Sequence, residues 1–207
     1  MSDRSFIFAH IMRTRDENKV DLIHQKAIEM IVKEGLDGFG VNKLAKAAGI
    51  SPATIYIYYK DREDLIMQVT LRASNHMLVE SMKDFDPDAS FEEGMKIQWR
   101  NRARYFLEHP LETQFIEKMR YSRHYDRVFE QMHKTFKETM GRFHHNALDR
   151  KELIKLPFEV FWSVAFAPLY QLIKFHTQEG SWGHKKYAFN EESMQQTLSL
   201  VLKALKP

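Results

Sequence analysis

The chain has 207 residues, of which 43% are hydrophobic, 29% charged and 13% aromatic, so it can bury the kind of core that soluble globular proteins contain. Its 8 glycines and 6 prolines are about half the usual share, which disfavours turn-rich sandwiches and barrels and favours helices. The absence of cysteine excludes disulfides, thiolate metal sites and thiol catalysis. A formal net charge of +3 permits nucleic-acid binding without requiring it.

Neither the N-terminal stretch nor the longest apolar stretch predicts a membrane segment. Residues 5–12 form too short an apolar run for a signal peptide and lack a small-residue cleavage site. Residues 156–173 approach the length of a membrane span, but they contain Glu159 and a central Pro168. We therefore expect no membrane partner and, by default, a cytoplasmic location, with residues 1–18 as an N-terminal extension.

Four helices are predicted in the first part of the chain. They cover residues 19–35 and 41–48, a third helix that opens at Ser51, and residues 61–82. Asn18 and Ser51 are the predicted N-caps, Gly35 and Gly49 the C-terminal stops, and Pro52 occupies a first turn where its missing N–H costs nothing.

Apolar stripes at helical spacing predict five further helices after the Asp86–Asp88 break. They are centred on Met95–Phe106, Leu111–Met119, Phe129–Phe143, Pro157–Gln178 and Glu191–Leu205, with a loop containing Gly180 and Gly183 before the last one. The predicted fold class is therefore all-α, with about nine helices in a small N-terminal bundle and a larger C-terminal bundle. No strand, repeat or low-complexity segment is predicted.

Residues 41–60 have the spacing of a helix-turn-helix. Ala45 stands where two helices cross closely, and Gly49 supplies a left-handed turn. The predicted inward-facing residues are Leu44, Ala48, Ile50 and Ile55, and the outward-facing residues of the second helix are Ser51, Pro52, Ala53, Thr54, Tyr56 and Ile57. Residues 38–60 hold three lysines and no acid, so positive charge is concentrated in the motif, as contact with phosphates requires.

These residues resemble the TetR family of bacterial transcriptional regulators. The resemblance runs from Ile23 to about Leu65, through Leu44-Ala45, Ala48-Gly49-Ile50-Ser51, Thr54-Ile55-Tyr56 and Lys60-Asp61-Arg62-Glu63-Asp64-Leu65. It implies a DNA-binding domain at 19–65, with three helices forming the helix-turn-helix unit, and a helical ligand-sensing and dimerisation domain at 66–207. It also implies a homodimer that binds a duplex operator and responds to a small-molecule effector.

The resemblance further implies which residues contact DNA. Tyr56 and Tyr58 would reach the backbone or base edges, Lys60 and Arg62 would hold phosphates, and Asn42 and Lys46 would approach from the preceding helix. Because the exposed face lacks Arg, Gln and Asn, base reading would depend on Asn42 and Thr54, with methyl contacts from Pro52 and Ala53. Ser51 is also among the predicted DNA-binding residues. Gly40 departs from the family pattern, which usually has a hydroxyl cap there.

Alternative interpretations of these residues remain open. Tyr58 and Tyr59 are also suited to packing against the fourth helix, and Lys43 and Lys46 to a solvated face. Arg4, Arg13 and Arg15 fit either a minor-groove arm or a disordered tail.

The C-terminal part holds 20 of the 26 aromatic residues and 7 of the 11 methionines, counted over residues 73–207. This surplus is compatible with an effector cavity or with a well-filled core. The predicted effector-binding residues are Trp99, Phe115, Met119, Trp162 and Phe166. The helix from Pro157 is apolar nearly all round, so a twin subunit is expected on one face, and the predicted dimer-interface residues are Val160, Val164, Ala167 and Val201.

No catalytic, metal or cofactor site is predicted. His145 and Asp149 have helical spacing that brings them together, but a third ligand is not evident, and Arg100, Arg102 and Arg104 fit a solvated helix flank. Two functions remain: a ligand-responsive DNA-binding regulator, expected to be a repressor released by an apolar or aromatic effector, and a helical small-molecule-binding protein or enzyme whose helix-turn-helix has a role other than DNA binding.

Overall fold

The computed structural model describes residues 3–177 and 187–207, and it describes side chains from residue 16 onward except those of residues 129 and 132–135. Within these ranges the chain forms helices and no strands, which confirms the all-α prediction. The helices are α1 (Asp3–Gly38), α2 (Val41–Ala47), α3 (Pro52–Tyr58), α4 (Arg62–Ser81), α5 (Phe91–Glu108), α6 (Pro110–Met119), α7 (Tyr125–Asp149), α8 (Phe158–Thr177) and α9 (Glu191–Leu205). The predicted loop with Gly180 and Gly183 lies outside the described residues.

The first helix is much longer than predicted. It begins at Asp3, so the prediction that Asn18 caps it was wrong. The stretch before Asn18 contains neither glycine nor proline, and nothing in it stops a helix. The predicted stop at Gly35 is confirmed, since this residue has φ 75 and interrupts the helix before a last turn that ends at Gly38.

The last two helices begin and end close to their predicted bounds, and local side-chain caps mark the starts of α5 and α9. Ser90 and Asn190 precede α5 and α9, and each side chain accepts a hydrogen bond from the backbone N–H three residues on. Pro168 lies inside α8 as expected. No helix in the described part of the chain combines the length and apolar character that crossing a membrane demands.

The chain divides into two compact units. Unit 1 comprises Met1–Ser74 and Leu111–Phe129, and unit 2 comprises Asn75–Pro110 and Glu130–Pro207. The boundary predicted at residue 65 therefore falls inside α4, and α6 belongs to the unit that carries the helix-turn-helix. Glu63 pairs with Arg123 at 2.7 Å and with His124 at 3.3 Å. These ion pairs hold the segment Leu111–Phe129, which returns to unit 1 from unit 2 along the chain, within unit 1. Residue order along the chain does not reveal such a return.

Unit 2 is organised around α5, which packs against α8 and α9. Trp99 is completely buried and its indole N–H donates a 2.8 Å hydrogen bond to the carbonyl of Ala165. The backbone N–H of Phe91 donates to the Glu152 carboxylate at 2.7 Å. Long-range side-chain bonds of this kind supplement an apolar core that includes Phe143, Phe161 and other buried residues of α5, α7, α8 and α9.

Candidate nucleic-acid interface

The turn between α2 and α3 has the geometry of a helix-turn-helix. Gly49 adopts φ 66, a left-handed conformation that favours glycine, and the N–H of Ile50 donates to the carbonyl of Ala45 at 3.0 Å. Ala45 is 1% exposed, as its predicted place at the crossing of two helices requires. Leu44 and Ile55 are also buried, so the predicted inward set holds the angle between the helices.

The N-terminus of α3 is capped by the side chain of Ser51, which also contacts that of Thr54. The Ser51 hydroxyl accepts a hydrogen bond from the Thr54 N–H at 3.2 Å, which confirms the predicted cap, and lies 2.9 Å from the Thr54 hydroxyl. Gly40, by contrast, provides no side-chain cap for α2. Because the two hydroxyls of the α3 cap serve each other, the methyl group of Thr54 is better placed than its hydroxyl for a contact outside the protein.

The outer face of α3 is apolar and aromatic. Pro52 and Ala53 are exposed, Tyr56 is 52% exposed and Ile57 is 75% exposed. Exposed side chains of this size on a short helix are available to a partner, since nothing in unit 1 covers them within the described residues. Ile57 was in the predicted outward set but not among the predicted DNA contacts, and its exposure adds it to the candidate surface.

Tyr58 and Tyr59 have different environments. The Tyr58 hydroxyl donates to Asp16 at 3.0 Å, and partial burial together with this bond raises its pKa. Tyr59 is 3% exposed beside His24, its hydroxyl has no partner among the described groups, and burial raises its pKa to about 12. Tyr59 is therefore a core residue, which was one of the two interpretations.

Lys60 follows α3 at a well-defined junction. Its backbone N–H donates to Asp64 at 2.8 Å, and the Asp64 N–H donates to Asp61 at the same distance. The bonds that the Asp64 carboxylate accepts from the Gln68 side chain and from the Lys60 N–H lower its pKa, and the bond that Asp61 accepts caps the start of α4. The Lys60 side chain is exposed, as a phosphate contact requires.

Arg62 has partners that do not fit the predicted phosphate contact. Its guanidinium donates to the carbonyls of Leu36, at 2.7 Å, and Phe39, at 3.3 Å, and pairs with Glu63 at 2.8 Å. It also lies 5.7 Å from the centre of the Phe39 ring. We assign Arg62 to the fold, where it closes the C-terminal end of α1, because its planar fork satisfies carbonyls that the helix leaves open.

The preceding helix presents Asn42, Lys43 and Lys46, all of them exposed. Lys43 is drawn back toward α1, since its ammonium lies 3.3 Å from Glu34 and 3.2 Å from the Gly38 carbonyl. Asn42 and Lys46 remain the candidates on α2.

The five predicted effector-binding residues fall in different units. Phe115 and Met119 are fully buried in unit 1, whereas Trp99 and Phe166 are fully buried and Trp162 half-buried in unit 2. Clefts of about 690 Å³ in unit 1 and about 660 Å³ in unit 2 are lined by other residues.

The predicted dimer-interface residues lie partly on the surface of unit 2 and partly in its core. Val160 and Ala167 are exposed on α8 and Val164 is half-buried, but Val201 is 5% exposed and belongs to the core of unit 2. Phe158 and Leu200 are exposed apolar residues that the prediction missed. The Nε2 atom of His145 lies 3.3 Å from the Oδ2 atom of Asp149, as the helical spacing of these residues predicted.

Comparison with known proteins gives similarities that centre on the helix-turn-helix. Residues 23–69 match the model of the bacterial regulatory proteins of the tetR family. An uncharacterized HTH-type transcriptional regulator of Haemophilus influenzae is 29% identical over 99 residues, 48% of this chain and 53% of the relative. The fatty acid metabolism regulator protein of Bacillus subtilis is 28% identical over 71 residues, 34% of this chain and 37% of the relative. The chain thus matches about half the length of the first relative and less of the second.

Similarity to solved structures extends over most of the chain. A TetR family transcription regulator from Marinobacter aquaeolei is 25% identical, with a TM-score of 0.77 over 93% of this chain and 98% of that one. A putative TetR family regulator from Vibrio parahaemolyticus, 20% identical with a TM-score of 0.74, shares the fold over 90% of this chain and 98% of that one.

These observations define the class of protein as a helix-turn-helix protein with a larger helical C-terminal part. Residues 23–69 match the tetR family of bacterial regulatory proteins, and the fold of most of the chain is similar to that of a solved TetR family regulator.

Proposed function

We propose that the protein is a cytoplasmic transcriptional regulator that binds duplex operator DNA with α3 in the major groove. The observation that carries the proposal is the exposed face of Ala53, Tyr56 and Ile57, with exposed lysines before and after α3 in the chain, Lys46 and Lys60. Apolar and aromatic side chains on a short helix suit thymine methyl groups and sugar–phosphate contacts, and flanking lysines suit phosphates.

The DNA-binding experiment uses the DNA upstream of the protein's own gene, with footprinting and a binding isotherm at several salt concentrations. Affinity should fall steeply with salt because phosphate contacts release counterions. Tyr56→Ala and Lys60→Ala should weaken binding on every sequence, whereas Thr54→Ala should relax the preference at one or two positions, at about 1–3 kcal/mol each.

Matched controls lie in the same unit. Tyr121, 94% exposed in the turn after α6, and Lys33, exposed on α1, lie outside the helix-turn-helix, so Tyr121→Ala and Lys33→Ala should retain the affinity of the unchanged protein. A Tyr56→Ala isotherm that matches the Tyr121→Ala isotherm would contradict the assignment of this face, and a protein without any protected DNA would favour the non-DNA alternative.

The proposed regulator acts as a homodimer through α8 and α9, so that two α3 helices read a palindromic operator. The support is the exposed apolar surface of Phe158 and Val160 on α8 and of Leu200, 61% exposed, on α9. Leu200→Asp should raise the dimer dissociation constant in sedimentation, whereas Val79→Asp, at an equally apolar and 57% exposed position on α4, should not. An unchanged protein that sediments as a monomer at micromolar concentration would rule the dimer out.

An apolar or aromatic effector bound in the C-terminal part would lower DNA affinity and release a repressor from its operator. The support is the concentration of aromatic residues in unit 2, which includes Trp99, Trp162 and Phe166. A coupling free energy of about 1–3 kcal/mol changes operator affinity about 5–150-fold, so a moderate shift is expected.

A further inference from the structure

Arg102 is the only lysine or arginine that is buried among the described residues, with 4% of its surface exposed. It lies on α5 in unit 2, between the exposed Arg100 and the half-buried Arg104. The prediction that these three arginines form a solvated flank was therefore wrong for Arg102, because helical spacing turns its side chain toward α8.

The surroundings of Arg102 are neutral. Its Nε donates to the Gln98 side-chain oxygen at 3.1 Å, and its Nη1 donates to the Tyr170 hydroxyl at 2.9 Å. The guanidinium carbon lies 4.7 Å from the centre of the Phe166 ring and 5.2 Å from that of Trp162. Within the described part of the chain Arg102 forms no ion pair with a carboxylate.

A buried cation without a counter-charge is an expensive arrangement. Ring faces and neutral hydrogen bonds offset only part of the desolvation of a guanidinium, and an anion in contact with it offsets more. Arg104, two residues away and only half-buried, does have such a partner, since its Nη2 lies 3.4 Å from the Glu80 carboxylate. Arg102, the more deeply buried of the two, therefore lacks the carboxylate partner that Arg104 has.

The groups around Arg102 are also arranged to receive an anion. Its Nη2 makes no hydrogen bond in the described structure, and the Tyr170 hydroxyl accepts from Arg102, which leaves the hydroxyl proton to donate elsewhere. A guanidinium edge and a phenol hydroxyl together match the two oxygens of a carboxylate. One guanidinium balances one negative charge, so a monocarboxylate fits better than a doubly charged phosphate ester.

Aromatic rings continue outward from this cation. Phe106 stacks on Tyr170 with ring centres 5.0 Å apart, and Phe136 meets Trp162 edge-on at 5.5 Å. All four rings pack against the core of unit 2 and are only half-buried. Tyr170 and Trp162 contact Arg102, and Phe106 and Phe136 extend the aromatic surface from them. Such walls suit the apolar or aromatic body of a ligand whose charged end lies deeper.

We infer that unit 2 binds a monocarboxylate with an apolar or aromatic body, whose carboxylate pairs with Arg102 while the body lies against Trp162, Phe106 and Phe136. This inference rests on the proposed function, because it names the chemical class of the effector. Gln98 links the site to α4, since its side-chain nitrogen donates to the carbonyl of Ser81, the last residue of that helix, at 2.9 Å. A bound carboxylate thus joins a network that includes the C-terminal end of α4.

The test uses the full chain without DNA, so that its outcome does not depend on operator binding. Phenylacetate, naphthoate and decanoate are each compared with the primary amide of the same skeleton, at concentrations up to the millimolar range, by melting temperature and by tryptophan fluorescence. At least one carboxylate should raise the melting temperature, quench or shift the fluorescence of Trp162, and bind about tenfold or more tightly than its amide.

Variants on α5 decide whether Arg102 is responsible. Arg102→Met should lose about tenfold or more in affinity for the carboxylate and none for the amide, Arg102→Lys should retain part of the preference, and Arg100→Met should behave as the unchanged protein. Equal binding of carboxylate and amide, no binding of any carboxylate, or full carboxylate affinity in Arg102→Met would overturn the inference. If Arg102→Met does not fold, the carboxylate–amide comparison and Arg102→Lys decide. Failure of the DNA experiment alone would leave this result standing.

Discussion

Unit 1 and unit 2 are stabilised by different kinds of interaction. In the helix-turn-helix of unit 1, the decisive contacts join residues close in sequence, such as the Ser51 cap on Thr54 and the Gly49 turn behind Ala45. In unit 2, the decisive contacts join distant helices, such as Trp99 with Ala165 and Phe91 with Glu152. The helix-turn-helix is therefore specified by local signals, and unit 2 by packing between distant helices.

The buried imidazole of His24, in unit 1, should make the stability of the protein depend strongly on pH. His24 is 8% exposed, and burial, with a smaller contribution from Arg72, lowers its pKa from 6.5 to about 4. As the pH falls from 6.5 to about 4, the unfolded chain gains a proton that the folded chain does not. Stability that is complete above pH 6.5 is therefore lost over this range, by at most about 3 kcal/mol.

Urea unfolding at about pH 7 and about pH 4.5 measures this loss. His24→Leu should remove most of the pH dependence, and His145→Leu, at a position where the imidazole is largely exposed, should leave it intact. The pKa of His124 and of His144 is also lowered by burial, so a smaller dependence of the same sign should remain in His24→Leu. An equal pH dependence with and without His24 would contradict the prediction.

In unit 2, close packing around Gly94 of α5 should make the protein sensitive to an added methyl group. A Cβ added at Gly94 would lie 2.2 Å from the ring of Phe143, which is completely buried against Phe91 and Phe85. Gly94→Ala should therefore destabilise the protein by about 1–3 kcal/mol in urea unfolding. Gly141→Ala is the matched control: its nearest atom would be 3.8 Å away, so it should stabilise α7 by about 0.5–1 kcal/mol. Equal effects of the two changes would show that close packing at α5 is not limiting.

The smallest effect concerns a glycine of unit 1 whose role is conformational. Gly49 has open space around it but adopts φ 66, so Gly49→Ala should cost about 1–2 kcal/mol through backbone strain alone. Gly40 has equally open space but extended backbone and no side-chain cap, and Gly40→Ser should stabilise α2 by a few tenths of a kcal/mol, roughly the difference between serine and glycine caps. Thermal melting compares the two variants, and a neutral Gly49→Ala would remove the argument for a required left-handed turn.

The features that could be predicted from the sequence are those that depend on neighbouring residues. The turn at Gly49, the cap at Ser51 and the bounds of α9 were confirmed because each depends on a few neighbouring residues. Arg62 was expected at a phosphate because its place in the motif suggested it, but its partners Leu36 and Phe39 lie far back in the chain. No sequence signal distinguishes an arginine that closes a helix end from one that faces DNA.

The same limit applied to residues of α5 and α9. Arg102 looks like its neighbours Arg100 and Arg104 in the sequence, and Val201 looks like the exposed apolar residues of its helix. Burial separates them: Arg102 lies over the Phe166 ring, and Val201 belongs to the core of unit 2. Such an assignment depends on which helix packs on which face.

By itself, the sequence determined that the protein is all-helical, that residues 41–60 form a helix-turn-helix and that positive charge gathers there. Helical periodicity, caps and glycine turns act between residues a few positions apart, so a single chain displays them. Only the tertiary structure decided that α6 belongs to the unit of the helix-turn-helix, that Arg62 serves the fold and that Arg102 is a buried cation among aromatic rings. These features arise where segments far apart in sequence meet, and burial there is set by packing rather than by residue type.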